Sequence, residues 1–505
     1  MAEVDARTIV EVAEKVAFEP PEYRQAGDYI DETPVWRDGT PLRQIALTPM
    51  QWRIWWLATA GKFFEGMIVF MTGVSHTLIA TEFGLSAVGV GLISAATLFG
   101  ILIGAVTLGG LSDHYGRRNM FIIEMVVFVF FLVVLAFAQS YLVVLIALFG
   151  LGVALGCDYP TAHMVISENM PSRERGRLVL GAFSFQAIGA LVGTGMCYLV
   201  LVWFPFIEAW RYMYAAAIIP AVLVTIGRFY IPESAMWLLE KGRVSEAEKS
   251  MTQLLRRYPQ YPNRVVLEPP KDVRADKASE GGLASLKALF RERKARRAIM
   301  LSSVPWFLQD LGTYGIGIFT PVVLATAFGN APGHARSTAE LVGNDMLAAK
   351  GAAMIDVLLI VGIIFAILLA DKVGRIRLQV FGFIGCAVGL FVASLGGHLG
   401  ESMQVPLIFA GFMLFNFMNN LGPNAQTYLI AGEVFPTRFR GAGAGLAASI
   451  AKIGAVTTAF LFPVLLAAIG TDALLAGLII TSLIGAWVTW KYRIETRGKA
   501  LAELD

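Results

Sequence analysis

The chain has 505 residues, of which 56% are hydrophobic and 16% charged, with a mean hydropathy of +0.63 and a formal net charge of +3. Soluble domains carry roughly 25% charged residues, so this composition excludes a soluble enzyme, a nucleic-acid binder, a disulfide-stapled secreted domain and a disordered chain. The net charge is too small to point to any partner, and the three cysteines, Cys157, Cys197 and Cys386, sit in apolar blocks without metal-ligand spacing, as small buried hydrophobes do.

Residues 1–53 are polar and mildly acidic. No apolar stretch precedes a small-residue cleavage site there, so the expectation is a cytosolic tail without a cleavable signal, partly amphipathic and partly disordered. Twelve apolar blocks follow, at 54–80, 88–111, 119–139, 141–166, 176–203, 210–230, 298–328, 352–370, 378–397, 405–432, 441–467 and 472–490. About twenty residues at 1.5 Å each span a hydrocarbon core of about 30 Å. Each block must be helical, because lipid offers the backbone no hydrogen-bond partner. Lys and Arg gather in DHYGRRN (113–119), PSRERGR (171–177), the segment 231–297, DKVGRIR (371–377), PTRFRG (436–441) and KYRIETRGK (491–499). The alternate loops TEFGLS (81–86), GGHLGES (396–402) and GTDA (470–473) have neither. The positive-inside rule then places both termini in the cytoplasm. Segment 231–297 holds fifteen Lys and Arg and divides the spans six and six. It reads as a solvated cytoplasmic linker with short helices, lying against an anionic leaflet. The expected plan is an all-α, multi-pass protein of the plasma (inner) membrane. Its parts are a tail (1–53), a six-helix bundle (54–230), the linker (231–297), a second six-helix bundle (298–490) and a C-terminal tail (491–505).

The two halves resemble each other. Asp113-x-x-Gly116-Arg117 after span two recurs as Asp371-x-x-Gly374-Arg375 after span eight. Glu168-x-x-Pro171-Ser172-Arg173-x-Arg175-Gly176 after span four recurs as Glu433-x-x-Pro436-Thr437-Arg438-x-Arg440-Gly441 after span ten, at nearly the same offset. An odd number of crossings per half would invert the second copy, and six make it parallel. Parallel six-helix repeats are a transporter plan with the substrate site near mid-depth between the halves.

Ionisable residues inside spans are functional candidates, because charge at that depth is costly unless it faces water or a partner. In span one Lys62 and Glu65 stand three apart, close enough to pair. Span four ends in Cys157-Asp158-Tyr159-Pro160 with His163 a turn later; Tyr159 and His163 share a face, Asp158 is offset toward span one, and Pro160 removes a backbone hydrogen bond and is expected to kink the helix. His163 reads as a lone polar residue at a helix interface, with a relay as the other reading. Gln186 in span five lies among Gly181, Gly189 and Gly193, which suit close helix packing. In span seven Trp306, Asp310 and Tyr314 fall at i, i+4 and i+8, on one face. A ring N–H, a carboxyl and a phenol on one stripe suit a small oxyanion, provided Asp310 is protonated, because a carboxylate repels an anion. That requirement couples proton and anion binding. Span ten sets Asn416, Asn419, Asn420, Asn424 and Gln426 around Gly422-Pro423, too many amides for a lipid-facing wall. Lys452 lies about eleven residues into span eleven. It either neutralises an anionic substrate or pairs with an acid such as Asp158 or Asp310 in the empty state.

LGGLSDHYGRRNMF (108–121) resembles the loop signature of the major facilitator superfamily, and PESAMWLLEKGR (232–243) resembles the segment after span six in its sugar-porter-like branches. WFLQDLGTYGIGIF (306–319), GCDYP (156–160) and NNLGPNAQTYLIAGEVFPTRFRGAGAGLAASIAKIGA (419–455) are similar to runs of the phosphate:proton symporters. The resemblance covers nearly the whole chain. It implies symport of phosphate with protons by alternating access. It places substrate contacts at Tyr159, Gln186, Trp306, Asp310, Tyr314, Lys452 and one of Asn420 and Asn424, and proton coupling at Glu65, Asp158 and Asp310. Span one departs from those symporters: GKFFEGMIVF (61–70) keeps Glu65 near the first acid of their run but has Ile68 near the second, and looks as much like the start of organic-acid and sugar branches.

Asp113, Arg117, Glu168, Arg175, Glu233, Asp371, Arg375, Glu433 and Arg440 lie at cytoplasmic helix ends. The repeated acids are more than the positive-inside rule needs, so these residues are expected to form a salt-bridge latch that closes when the cavity opens outward. The function expected is proton-coupled symport of phosphate or a similar small oxyanion; the alternative is an organic acid, a sugar or another small nutrient. An intramembrane enzyme would want a nucleophile or metal constellation, and the sequence carries no HExxH or GxSxG. A transport-free sensor would want a large signalling domain, which 231–297 is too short to be. No cofactor, metal or nucleic acid is expected. The expected partners are the solute, protons and the lipid bilayer, and the chain is read as a monomer.

Overall fold

The computed structural model describes residues 24–32, 47–108, 111–256, 265–268, 289–327, 337–399, 401–435 and 440–496; the side chains of Asp113, Tyr159 and Arg440, three of the candidates, lie outside what it describes. The spanning helices are α1 Pro49–Phe83, α2 Ala87–Leu108, α3 Arg117–Ala136, α4 Tyr141–Asn169, α5 Ser172–Trp203, α6 Trp210–Arg228, α7 Arg293–Ala327, α8 Thr338–Val373, α9 Arg375–Ser394 and α10 Glu401–Leu421. α10 continues as Pro423–Glu433 after a break at Gly422 (φ −109°, ψ −99°). The last run, Arg440–Tyr492, is two helices: Gly470, with φ 77° and ψ 175°, separates α11 (440–469) from α12 (471–492). The fold is therefore twelve spanning helices in two parallel six-helix repeats.

Several helices outrun their apolar blocks. α8 has 36 residues, about 54 Å at 1.5 Å each against a core of about 30 Å, where hydropathy had marked only 352–370. The polar first turns, capped by Ser337, project beyond the apolar layer. α4 runs through Pro160 as one continuous helix. The internal repeat reaches the backbone: Gly116 and Gly374, at the starts of α3 and α9, share φ 98° and 102° with ψ 152° in both. A Cβ is strained at such a φ, which is why the motif carries glycine there.

Close approaches set the packing. A Cβ on Gly66 of α1 would overlap the Gln186 carbonyl of α5, and one on Gly189 would overlap the Phe63 carbonyl of α1. The halves meet along α1–α7, α2–α11 and α5–α8. At the end away from the basic loops this seam is shut. A Cβ on Gly73 would strike the Ile318 carbonyl, Phe70 covers Gly317, His76 stacks on Phe319 at 5.3 Å, and Phe319 stacks on Phe462 at 4.5 Å.

Over the part described, the tail packs against the rest of the chain. The helix Ala26–Asp31 buries Tyr29 and Ile30, residues 24 and 267 pair, and Asp31 accepts from the Ser172 amide at the start of α5 at 2.6 Å. Apolar residues on one side of that short helix found a partner in the linker, whose own helices are Ala235–Glu240 and Val244–Leu255. Residues 1–23 and 33–46 lie outside the described residues.

Candidate functional site

α1, α5, α7, α10 and α11 each bring a polar residue to a cavity of about 470 Å³ between the halves. Gln186, Trp306, Asp310, Tyr314, Asn424 and Lys452 line it, as expected, and so does Lys62. Ala105 and Val106 of α2 and Gly445 and Leu446 of α11, near the basic-loop ends of their helices, also line it. The cavity therefore extends toward the basic loops while the opposite end is shut.

Glu65 is the hub of the wall. It is 2% exposed. Oε2 accepts from Lys62 Nζ at 2.5 Å, and Oε1 accepts from Lys452 Nζ at 3.3 Å, Tyr314 Oη at 3.3 Å and Gln186 Nε2 at 3.4 Å. Lys452 also donates to Tyr314 Oη at 2.7 Å and lies 4.7 Å above the centre of its ring. Asp310 Oδ2 is 3.9 Å from Lys452 Nζ and is buried without a hydrogen-bond partner. Two ammonium groups and two carboxyls thus balance in this cluster. If Asp310 carries a proton, the wall has one net positive charge and a hydroxyl donor, which complements a monovalent oxyanion.

In span ten the two asparagines are placed differently. Asn424 faces the cavity and accepts from Gln309 Nε2 at 3.2 Å. Asn420 stands behind it, accepting from Asn424 at 2.6 Å and donating to the Leu359 carbonyl at 2.8 Å. Asn420 thus holds the Asn424 amide from behind and does not line the cavity.

Asp158 does not line the central cavity and does not pair with Lys452. Its Oδ1 accepts from Arg228 Nη2 at 2.6 Å, and Arg228 Nη1 donates to Glu124 at 3.0 Å. Arg228 is fully buried, its guanidinium 3.4 Å from the centre of the Phe121 ring. Asp158 faces span one as expected, against Gly61, where a Cβ would overlap its carboxylate. A small void lined by Lys62, Asp158, His163, Phe183 and Tyr428 adjoins the central cavity, and Lys62 and Phe183 line both. Sequence reasoning missed Arg228, Glu124 and Lys62 as parts of one polar system. Arg228 closes α6 and reads as an ordinary positive-inside residue; the depths of Glu124 and Asp158, counted from the basic-loop ends of α3 and α4, were the available signal.

At the basic-loop end Arg117 pairs with Glu168 at 3.1 Å, and Arg375 pairs with Glu433 at 3.2 Å and Asp371 at 2.7 Å. Glu233 accepts from the Arg118 amide at 3.0 Å; Glu495, absent from the expected set, does the same for Arg375 at 3.1 Å. Arg175 donates to Ser172 at 3.3 Å, within its own helix. These contacts brace α3 to α4 and α9 to α10, each inside one half. Among the described residues none of these pairs crosses between the halves.

The family described as sugar (and other) transporter matches residues 45–505. The inner membrane metabolite transport protein YgcS of Escherichia coli K12 is 29% identical over 485 residues, 94% of this chain and 96% of the relative. The repressible high-affinity phosphate permease of Neurospora crassa is 28% identical over 404 residues, 72% of this chain and 68% of the permease. In structure, the xylose transporter XylE of E. coli, in a partially occluded inward open conformation, superposes with a TM-score of 0.69 at 20% identity, over 90% of this chain and all of XylE.

Proposed function

The chain belongs to the sugar (and other) transporter family, a multi-pass integral membrane protein of the major facilitator type, and from that premise we propose that it couples protons to the uptake of inorganic phosphate or a similar small oxyanion by alternating access. The carrying observation is the pair of lysines, Lys62 and Lys452, in one cavity wall with the unpartnered oxygen of Asp310. Proton on Asp310 and anion beside Lys452 arrive together, because either alone leaves net charge in a poorly hydrated wall. Asp310 and Glu65 carry the coupling, and Asp158 acts on it through Lys62. Basic loops and both chain ends face the cytoplasm of the bacterial inner membrane, so the shut end faces outward and this is an inward-facing form. The ion pairs at the cytoplasmic ends keep each six-helix half rigid as it rocks, and the protein works as a monomer.

The second reading is a sugar or other uncharged nutrient. The amide-rich flank of Gln186, Gln309 and Asn424 and the likeness to a xylose transporter support it. Proteoliposomes holding the purified protein separate the two when given labelled phosphate, D-xylose, D-glucose or a carboxylic acid with simultaneous internal-pH readout. Phosphate accumulation accompanied by internal acidification is expected. Accumulation of a sugar with no phosphate uptake would overturn the oxyanion reading.

A further inference from the structure

Another acid outside the cavity stands apart from the Arg228 triad. Asp356, near the middle of α8, is 2% exposed and does not line the cavity. It sits in the seam between the halves. Oδ2 is 3.1 Å from Thr194 Oγ1 of α5, and Oδ1 accepts from Asn416 Nδ2 of α10 at 3.4 Å. Among the described residues no charged side chain of α1, α5, α7, α9 or α10 reaches it; Thr194 and Asn416 are its polar neighbours.

Hydrogen counting identifies the form this pocket accommodates. Thr194 has one hydroxyl hydrogen but three acceptors in reach: the Ala190 carbonyl at 3.1 Å, the Leu191 carbonyl at 3.2 Å and Asp356. A helical threonine commonly gives that hydrogen to the carbonyl four residues back. The contact to Asp356 then needs a hydrogen from the carboxyl. A protonated Asp356 donates to Thr194, which donates to Ala190, while Asn416 donates to the other oxygen, and every group is satisfied. A carboxylate here would lack any cation. Asp345 lies on the same face of α8, about three turns nearer the shut end. It is 4% exposed, faces Thr77 of α1 and has Oδ2 unpartnered, which places a second carboxyl between Asp356 and that surface.

We infer that Asp356 is a pH-sensing residue outside the substrate cavity: it takes up a proton, by way of Asp345, from the side that is shut here as α5 closes on α8, and returns it to that side when the seam parts, so that it biases the conformation without carrying a proton across. The balance is one proton gained by a carboxylate on closure and lost on opening. Acid on that side therefore drives the molecule toward the form seen here. The inference goes beyond the proton-coupled reading, and its test needs no solute.

Purified protein in nanodiscs is titrated from acid to alkaline pH without substrate. Infrared difference spectra follow the carboxylic-acid carbonyl band. Electron-spin distances follow labels on Leu199→Cys of α5 and Leu347→Cys of α8, both exposed. The unsubstituted background is expected to open this seam as pH rises. Asp356→Asn, which keeps both hydrogen bonds, is expected to lose the band and to shrink the pH response about tenfold or more, whereas Asp310→Asn keeps the response. Thr194→Val, a near-isosteric partner deletion, is expected to shift the band to the position of a free acid. An unchanged band and pH response in Asp356→Asn, or an unmoved band in Thr194→Val, overturns the inference. Failure of proton-driven phosphate uptake alone sinks the proposed function and leaves this result standing.

Discussion

Asp310 and Lys452 stand 3.9 Å apart, and the proposed coupling gives them separable tasks. Asp310→Asn mimics the protonated acid. The expected outcome is retained solute exchange with loss of uphill, proton-driven accumulation by about tenfold or more, read as counterflow against gradient-driven uptake; undiminished accumulation would remove Asp310 as the proton site. Lys452→Ala is expected to abolish anion uptake while leaving Glu65 paired to Lys62, so folding survives and the loss is specific to anions. Arg228 has a different character. It is the only cation between two buried acids among its described contacts, and breaking such a pair costs about 3–5 kcal/mol. Arg228→Leu should therefore lower the melting temperature in detergent sharply, and adding Glu124→Gln and Asp158→Asn should restore most of it. A melting temperature unaffected by Arg228→Leu would show that the triad contributes nothing to the fold.

Among the helices, α1 is the common member of both packing problems. Within its half it touches α5 backbone to backbone through Gly66 and Gly189; across the seam it meets α7 at Gly73 and Ile318. A leucine at Gly73 would wedge the shut end open. Gly73→Leu should raise thiol labelling from that side and stop net transport while the protein still binds solute; labelling unchanged from the parent would show that the contact does not hold that end closed. The repeated helix starts make a paired prediction. Glu233 and Glu495 both present carboxylates to the amides that open α3 and α9. Removing such a cap typically costs about 1 kcal/mol. Glu233→Ala and Glu495→Ala should each lower stability by that order; a melting temperature unchanged in either would show that its carboxylate does not cap the helix.

For the whole molecule the two halves are bodies with separate braces and a shared wall. Net accumulation should rise as the outside is acidified, vanish when the gradient is collapsed with a protonophore, and reverse when the inside is the more acidic; accumulation indifferent to protonophore would exclude proton coupling.

Twelve crossings, the parallel repeat and the basic-loop asymmetry were legible from the chain because each depends on local composition: lipid makes the helix obligatory, and a motif repeats whether or not its partner is known. The single-face stripe Trp306, Asp310, Tyr314 was legible for the same reason, since helical spacing alone places it. The helix ends were not, because hydropathy stops at the lipid while α8 continues beyond it. Nor was the pairing of charges. Lys452 and Glu65 are 387 residues apart, and Asp158 found Arg228 rather than Lys452. Asn424 and Asn420 are chemically identical and one turn apart; only the direction α10 takes after Gly422 separates the residue that lines the cavity from the residue behind it. Composition and periodicity decided that buried charges must share a wet interior. Which charges share it depends on the register of two six-helix bodies, a sum of side-chain contacts distant in sequence, and only the tertiary structure decided that.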